Sequence, residues 1–342
     1  MDSNRLAVFT GPGRVELRPW PDLEPGRGEA VVRVRACALC TMEQRLWLGA
    51  QDDYPIAPGH EAAGTVAAVH PEGVTGVAVG DRVAVAFLDR CLQCAACRRG
   101  DTHLCTGKFL GREPGRFRVI GGLADYAVVP AWKLFPMPAE LSFDEIALCE
   151  PVACVVHSVH KAAPRFGDDV LVVGAGTMGL LHVLLARLRG ARVFVSDPDP
   201  ARRRLAGELG ARAAFAPGEA VARLREATGG EGADAVFVTF GHADTAAQAS
   251  AAVRGGGRII YYGSFPAGVD SGVDPRRLHR QEVVLDGARG QTLGDWHEAS
   301  RLLAGRLVEV GPLISGRYPL DRTDEALGHA ADPSSYRVVV NP

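Results

Sequence analysis

Four cysteines, Cys91, Cys94, Cys97 and Cys105, fall within fifteen residues, CLQCAACRRGDTHLC. Thiolates at this spacing in a polar loop make a closed tetrahedral set with no position left for a substrate, so the chemistry they point to is structural zinc. A four-iron cluster is the competing reading. Ferredoxin-like spacing, however, has a shorter last gap and a proline after the final cysteine, where this chain has Thr106. Other residues able to hold a metal are scattered: Cys40 in ACALCTMEQR, His60 and Glu61 in APGHEAAG, and Glu150 in LCEPVAC. Singly, each is explained as a core thiol, a satisfied core histidine or a surface carboxylate, and spacing alone does not assemble them.

A different chemistry lies further along. Gly174, Gly176 and Gly179 form GxGxxG, with Thr177 and Met178 before the last glycine, directly after the apolar run DVLVV. The first glycine permits a tight turn, the second lets backbone approach a pyrophosphate, and the third lets helix and sheet pack closely. The helix that follows offers its first N–H groups to the phosphates. Asp197 stands 23 residues past Gly174, where an acid meets the adenosine ribose diol. A carboxylate there accepts from both hydroxyls and repels a 2′-phosphate, which favours NAD over NADP. Arg202 is expected to stack over the adenine, with Arg203 and Arg204 on a solvated helix face; the three together are what an NADP reading would rest on.

These groups need elements to hold them. The first ~150 residues read as short strands punctuated by Pro and Gly: Ala30 to Ala36 alternates apolar and polar residues, and Ala62 to Val69 and Gly80 to Ala86 are similar. From about Phe166 strand and helix signals alternate: DVLVV, GAGTMGLLHVLLARLRG, ARVFVSD, PARRRLAGELG, AVARLREATGG, ADAVFVTF, TAAQASAAVRGGG, RIIYYGS and EVVLDGA. Such alternation argues for a parallel sheet covered by helices on both faces. A helix, HEASRLLAG, and a last strand, YRVVV, follow.

The whole chain has 342 residues, 47% hydrophobic and 23% charged, enough for two domains. A net charge of −2 excludes a strong electrostatic claim on nucleic acid or anionic membrane. No apolar run approaches the ~18 residues of a membrane span, and MDSNRLAVFTGPG has no signal-peptide core. Clustered rather than evenly spread cysteines fit metal binding in a reducing compartment, so a cytoplasmic enzyme is expected.

With these motifs in order, the chain resembles the zinc-containing medium-chain dehydrogenase/reductases, the alcohol, sorbitol and threonine dehydrogenases. The resemblance runs from Cys40 through GHE at Gly59 to Glu61 and GDRV at Gly80 to Val83. It continues through the four-cysteine loop, GGLADY at Gly121 to Tyr126, Glu150-Pro151, GAGTMG and YPLDRTDEA. It implies an α/β architecture: a split GroES-like β catalytic domain, 1–153 and 293–342, around an inserted Rossmann domain, 154–292, with a doubly wound parallel sheet. By the same resemblance Cys40, His60 and Glu150 hold catalytic zinc, with Glu61 as an exchangeable ligand or nearby carboxylate. Glu43 supports the zinc-bound histidine, and Arg337 pairs with Glu61. Two zinc ions per chain, one catalytic and one structural, are therefore expected, together with NAD and assembly as a homodimer or homotetramer.

One departure bears on the reaction. Family members carry Ser or Thr two residues after the ligand cysteine and often His five residues after it, to pass the alcohol proton to solvent. Here Met42 and Arg45 stand in those places, leaving the Thr41 hydroxyl and the Glu43 carboxylate as the nearest polar groups. The expected activity is hydride transfer between NAD(H) and a small polar secondary alcohol or its ketone: a polyol, sugar, aminocyclitol or hydroxy amino acid. Reduction of a conjugated C=C bond is the alternative the missing relay raises. A non-catalytic NAD-binding protein is the third, and an open Lewis-acid site argues against it.

Overall fold

The computed structural model describes residues 4–20, 23–52, 54–107, 118–119, 121–272 and 274–342. The chain divides into two units, 1–153 with 292–342 and 154–291.

The first unit is built on a seven-stranded, largely antiparallel sheet among the described residues. Its order is Ile314–Pro319, Arg337–Asn341, Glu29–Leu39, Glu61–Val69, Arg82–Ala86, Leu134–Pro136, with Tyr126–Pro130 also paired to Glu29–Leu39. Alternating valines drive it: Val32, Val34, Val66, Val83, Val85, Val338 and Val340 are all buried in one core with Leu39, Leu123 and Leu327. The period-2 signal is thus real, though the strand expected over Gly80 to Ala86 begins only at Arg82, because Gly80 takes φ +95° in the preceding turn. Register does the positioning. Val338 faces Leu39 and Ala38 faces Glu61, so three strands far apart in sequence bring Arg337, Cys40 and Glu61 to one end of the sheet.

The second unit is a doubly wound α/β layer. Its six strands are all parallel, in the order Ala213–Phe215, Arg192–Ser196, Asp169–Val173, Ala233–Val238, Val253–Tyr261, Val284–Gly287. Asp169–Val173 is buried at every position, as a central parallel strand flanked by helices must be. Strand order reverses beside this strand, and in such sheets ligands bind outside the carboxyl ends at that point.

Two local readings need correction. The helix expected over TAAQASAAVRGGG ends at Ala252, and Val253–Tyr261 is a single strand running through Gly255 to Gly257. A glycine run is a poor helix former, and a register shift between Ala233 and Ala235 absorbs it in the sheet. The helix Cys149–Ala162, to which the sequence analysis assigned no element, carries Glu150 in its first turn.

Candidate active site

Cys40 caps the helix Thr41–Trp47. Its Sγ accepts the Met42 N–H at 3.1 Å, and Glu43 reaches back so that Oε2 accepts the Cys40 N–H at 3.1 Å. The reciprocal cap fixes both side chains at once. Glu43 is wholly buried, and its other oxygen accepts the Gly59 N–H at 3.2 Å and the His60 Nδ1–H at 3.0 Å. A carboxylate can only accept, so Nδ1 carries a proton and Nε2, 3.5 Å from Cys40 Sγ, is the nitrogen that would turn to a metal. Gly59 makes the turn that aims His60: it sits at φ +99°, and a Cβ there would lie 2.5 Å from the Leu123 nitrogen.

Glu61 opens the strand Glu61–Val69 with 1% of its surface exposed. Oε1 pairs with Arg337 Nη2 at 2.7 Å, and Oε2 is buried without a hydrogen-bond partner. Ligand atoms of His60, Glu61 and the buried Glu150 all lie within 4.8 Å of one another, as do those of Cys40, Glu43 and His60.

The electrostatics fit a divalent cation at the centre of this cluster. Burial, with Glu43 adding to it, pushes the Cys40 thiol up to about 12. Burial also pushes the Glu61 carboxyl up to about 7, against Arg337 and with Glu150 reinforcing it. Burial alone would raise Glu43 as well, but His60 and the Cys40 N–H outweigh it and hold the carboxyl low. His60 is raised, its own burial being overcome by Cys40 and Glu43. A doubly positive ion relieves the crowded anions, and the geometry suits zinc. Bonds of ~2.3 Å to sulfur and ~2.0 Å to nitrogen at a tetrahedral angle span an S···N edge of ~3.5 Å.

Around the cluster, Thr41 is exposed, Met42 packs half-buried against the core, and Arg45 is exposed. Glu43, named in the sequence analysis as a possible proton acceptor, already has both oxygens committed. Its geometry is that of a support for His60.

Cys91, Cys94, Cys97 and Cys105 also converge, with Sγ atoms within 4.8 Å of one another and Cys91 and Cys105 3.5 Å apart. Backbone N–H groups serve the sulfurs: Cys91 N donates to Cys105 and Cys94 N to Cys91, both at 3.3 Å. Backbone N–H groups of Cys97 and Thr106 pull the Cys94 thiol down to about 5. Burial and the neighbouring thiols push Cys97 the other way, up to about 12, so a cation is what would let all four act as thiolates, and the donor set suits zinc.

In the second unit the glycine turn follows Asp169–Val173 and opens the helix Thr177–Leu188, capped by Gly176. Gly174 takes φ +97°, closed to other residues without strain. A Cβ at Gly179 would stand 1.8 Å from the Gly174 oxygen, which accounts for the third glycine. Asp197 is buried at the end of the neighbouring strand, where it accepts the Ala175 N–H at 2.7 Å and the Asp199 N–H at 2.8 Å. Both of its oxygens therefore hold backbone of the turn and of the helix start that follows.

Arg202 lies by the turn, with Nη1 3.5 Å from where a Cβ at Gly176 would be. Arg203 is not the solvated residue expected. It is half-buried and donates to the carbonyls of Asp197 and Pro198 at 2.7 and 2.8 Å.

Two residues here belong to no motif. Thr239, just past the strand Ala233–Val238, bonds into the glycine turn. His182 is fully buried in the same helix as Thr177. Its Nδ1 donates to the Met178 carbonyl at 2.7 Å, so Nε2 accepts from the Ser158 hydroxyl at 2.9 Å. Burial pushes this histidine down to about 4.

Comparison with known proteins places this geometry. Residues 26–139 match the alcohol dehydrogenase GroES-like domain, and residues 177–305 match the zinc-binding dehydrogenases. An L-threonine 3-dehydrogenase of Pyrococcus horikoshii is 34% identical over 315 residues, covering 89% of this chain and 88% of that one. A sorbitol dehydrogenase of Halalkalibacterium halodurans is 29% identical over 342 residues, 97% of each chain. A Sinorhizobium meliloti structure, described as a zinc-binding dehydrogenase bound to NADP, superposes with a TM-score of 0.90 at 29% identity over all of both chains. Among the described residues no helix is long and apolar enough to cross a membrane. The chain belongs to the zinc-containing medium-chain dehydrogenase/reductases of the alcohol dehydrogenase superfamily, and is an oxidoreductase acting on CH–OH groups.

Proposed function

We propose that this chain is a zinc-dependent, NAD-linked dehydrogenase of a small polar secondary alcohol: a polyol, a sugar, an aminocyclitol or a hydroxy amino acid. The observation that carries the reading is two ligand sets that share His60, one with Cys40 and Glu43 and one with Glu61 and Glu150, in which Glu43 holds His60 and Arg337 holds Glu61. Cys40, His60 and Glu150 would hold the zinc, with Glu61 as an exchangeable or nearby carboxylate, and the metal would supply Lewis-acid polarisation of a substrate oxygen for hydride transfer to a nicotinamide. The residues of the chain do the rest. Glu43 holds the His60 tautomer, and Arg337 balances the charge of Glu61. Asp197 sets the glycine turn and supports NAD over NADP; the NADP bound to the Sinorhizobium relative keeps that choice a matter for measurement. The four-cysteine loop holds a second, structural zinc, and the protein works as a homodimer or homotetramer in a reducing compartment.

Where family members have hydroxyl and imidazole relays, Met42 and Arg45 offer neither, and Glu43 is fully engaged. The exposed Thr41 side chain is then the one hydroxyl of this helix for the alcohol proton. That gap favours one alternative, reduction of a conjugated C=C bond. The test is an assay of zinc-loaded protein with NAD and NADP over polyols, cyclitols, hydroxy amino acids and enones, with product analysis. Ketone formed from a polyhydroxylated substrate with NAD supports the proposal; saturated product from an enone with no alcohol oxidised overturns it.

A further inference from the structure

Thr239 sits where the strand order of the parallel sheet reverses, immediately past the strand Ala233–Val238. Its N–H continues the ladder by donating to the Val173 carbonyl at 2.9 Å. Its hydroxyl does something no ladder requires: Oγ1 lies 2.9 Å from the Val173 oxygen and 3.1 Å from the Gly174 oxygen, a shared bond into the glycine turn. It also occupies the notch left by the missing side chains, 2.6 Å from where a Cβ at Gly174 would stand and 3.3 Å from one at Gly179. The Gly174 carbonyl is thus turned inward, onto Gly179 and the Thr239 hydroxyl. On the other side of the turn the Ala175 N–H is held by Asp197.

The geometry points to Thr239 as a positioning residue for the dinucleotide: its hydroxyl clamps the inward carbonyl of Gly174 and so keeps the turn in the shape that receives the pyrophosphate. The inference rests on the reading of this turn as a dinucleotide site. A turn of glycines has little stiffness of its own, since each glycine has the widest choice of backbone conformations. Two opposed bonds, hydroxyl to carbonyl on one side and carboxylate to N–H on the other, supply the missing stiffness before any cofactor arrives. Preorganisation of this kind appears in affinity, because ordering that is already in place is not lost on binding.

Thr239→Val keeps the shape and removes the hydroxyl; Thr239→Ser keeps the hydroxyl and removes a methyl. Affinity for NADH and NADPH is read by fluorescence titration of the full chain, and hydrogen exchange of the amides of residues 174–179 is followed without cofactor. Loss of one such bond to a buried carbonyl is expected to weaken binding of the preferred dinucleotide about tenfold in Thr239→Val, with Thr239→Ser within about twofold of wild type. Exchange at Gly174 and Ala175 should quicken in the valine variant alone. Unchanged affinity in Thr239→Val overturns the proposal while leaving the dinucleotide site standing. A serine variant as weak as the valine variant also overturns it, since packing and not the hydroxyl would then be responsible. If wild type binds neither NADH nor NADPH, the reading of the turn fails and takes the proposal with it.

Discussion

His182 turns acid into a probe of the helix that carries the glycine turn. The ring is 0% exposed, tilted against Phe237 at 4.6 Å and edge-on at 5.0 Å to Tyr262, and its two nitrogens are committed to Met178 and Ser158. Protonating Nε2 would replace an accepted bond with a second donor facing a hydroxyl, in a place where no water compensates. That is why burial pushes this group down to about 4 from the ordinary histidine value of about 6.5.

Above pH 6.5 neither folded nor unfolded chain carries a proton here, and the contribution of the site to stability is complete. As pH falls below 6.5 the unfolded chain takes up a proton that the folded chain refuses, so stability drains away until pH 4, below which both bind it. The full gap of about 2.5 units corresponds to roughly 3.4 kcal/mol, and at pH 5 about 2 kcal/mol of it is already lost. Urea unfolding of wild type and His182→Gln at pH 7.5 and pH 5, followed by hydrogen exchange in residues 177–188, isolates the effect. Every other titrating group is common to both proteins and cancels in the difference between them. The wild type should lose about 2 kcal/mol more than the variant between the two pH values. Equal losses would refute the reasoning, because the folded ring would then be titrating at its ordinary value.

Other outcomes follow from the same geometry. Metal analysis should find about two zinc ions per chain, falling to about one in Cys40→Ala with the fold retained, whereas Cys94→Ala should impair folding, since closed sites contribute folding free energy. Arg337→Met removes the counter-charge beside Glu61, whose carboxyl is already pushed up to about 7 by burial, so that carboxyl should take up a proton and the loss in urea unfolding should be larger at pH 8 than at pH 6, much of it restored by adding Glu61→Gln; equal losses at both pH values would argue against the pair. Wild type should bind NADH more tightly than NADPH in a fluorescence titration. Asp197→Ala should weaken both as well as narrow the gap, because the Ala175 N–H loses its acceptor. Thr41→Ala should slow alcohol oxidation by ~10²-fold or more at unchanged zinc content if its hydroxyl passes the proton, and near wild-type turnover would exclude it.

What could be read from the sequence divides along a physical line. Features carried by neighbours in the chain were legible: the glycine turn after DVLVV, the cysteine loop, and the alternating strands around Val32 and Val83. Grouping Cys40, His60, Glu61, Glu150 and Arg337 was not, except by family resemblance. For Cys40, Glu61 and Arg337 it depends on the register of three strands, in which a slip of one residue would turn the side chains to the opposite face, while Glu150 comes from the first turn of the helix Cys149–Ala162. The helix end at Ala252 was misread because Val253 and Arg254 suit either period, and only pairing with Ala233–Val238 decides between them. Arg203 and Thr239 were missed for a third reason: their partners are backbone carbonyls, which every residue has and no motif records.

The ion pair that steadies Glu61 joins residues 276 positions apart. A ribosome adding ~5–20 residues per second needs roughly 14 to 55 s between making one partner and making the other. Throughout that interval Cys40, His60 and Glu61 exist without the strand Arg337–Asn341 that brings Arg337, while the second unit, 154–291, is synthesised in between. The Glu61–Arg337 pair therefore forms only after the whole of the inserted unit, 154–291, has been made.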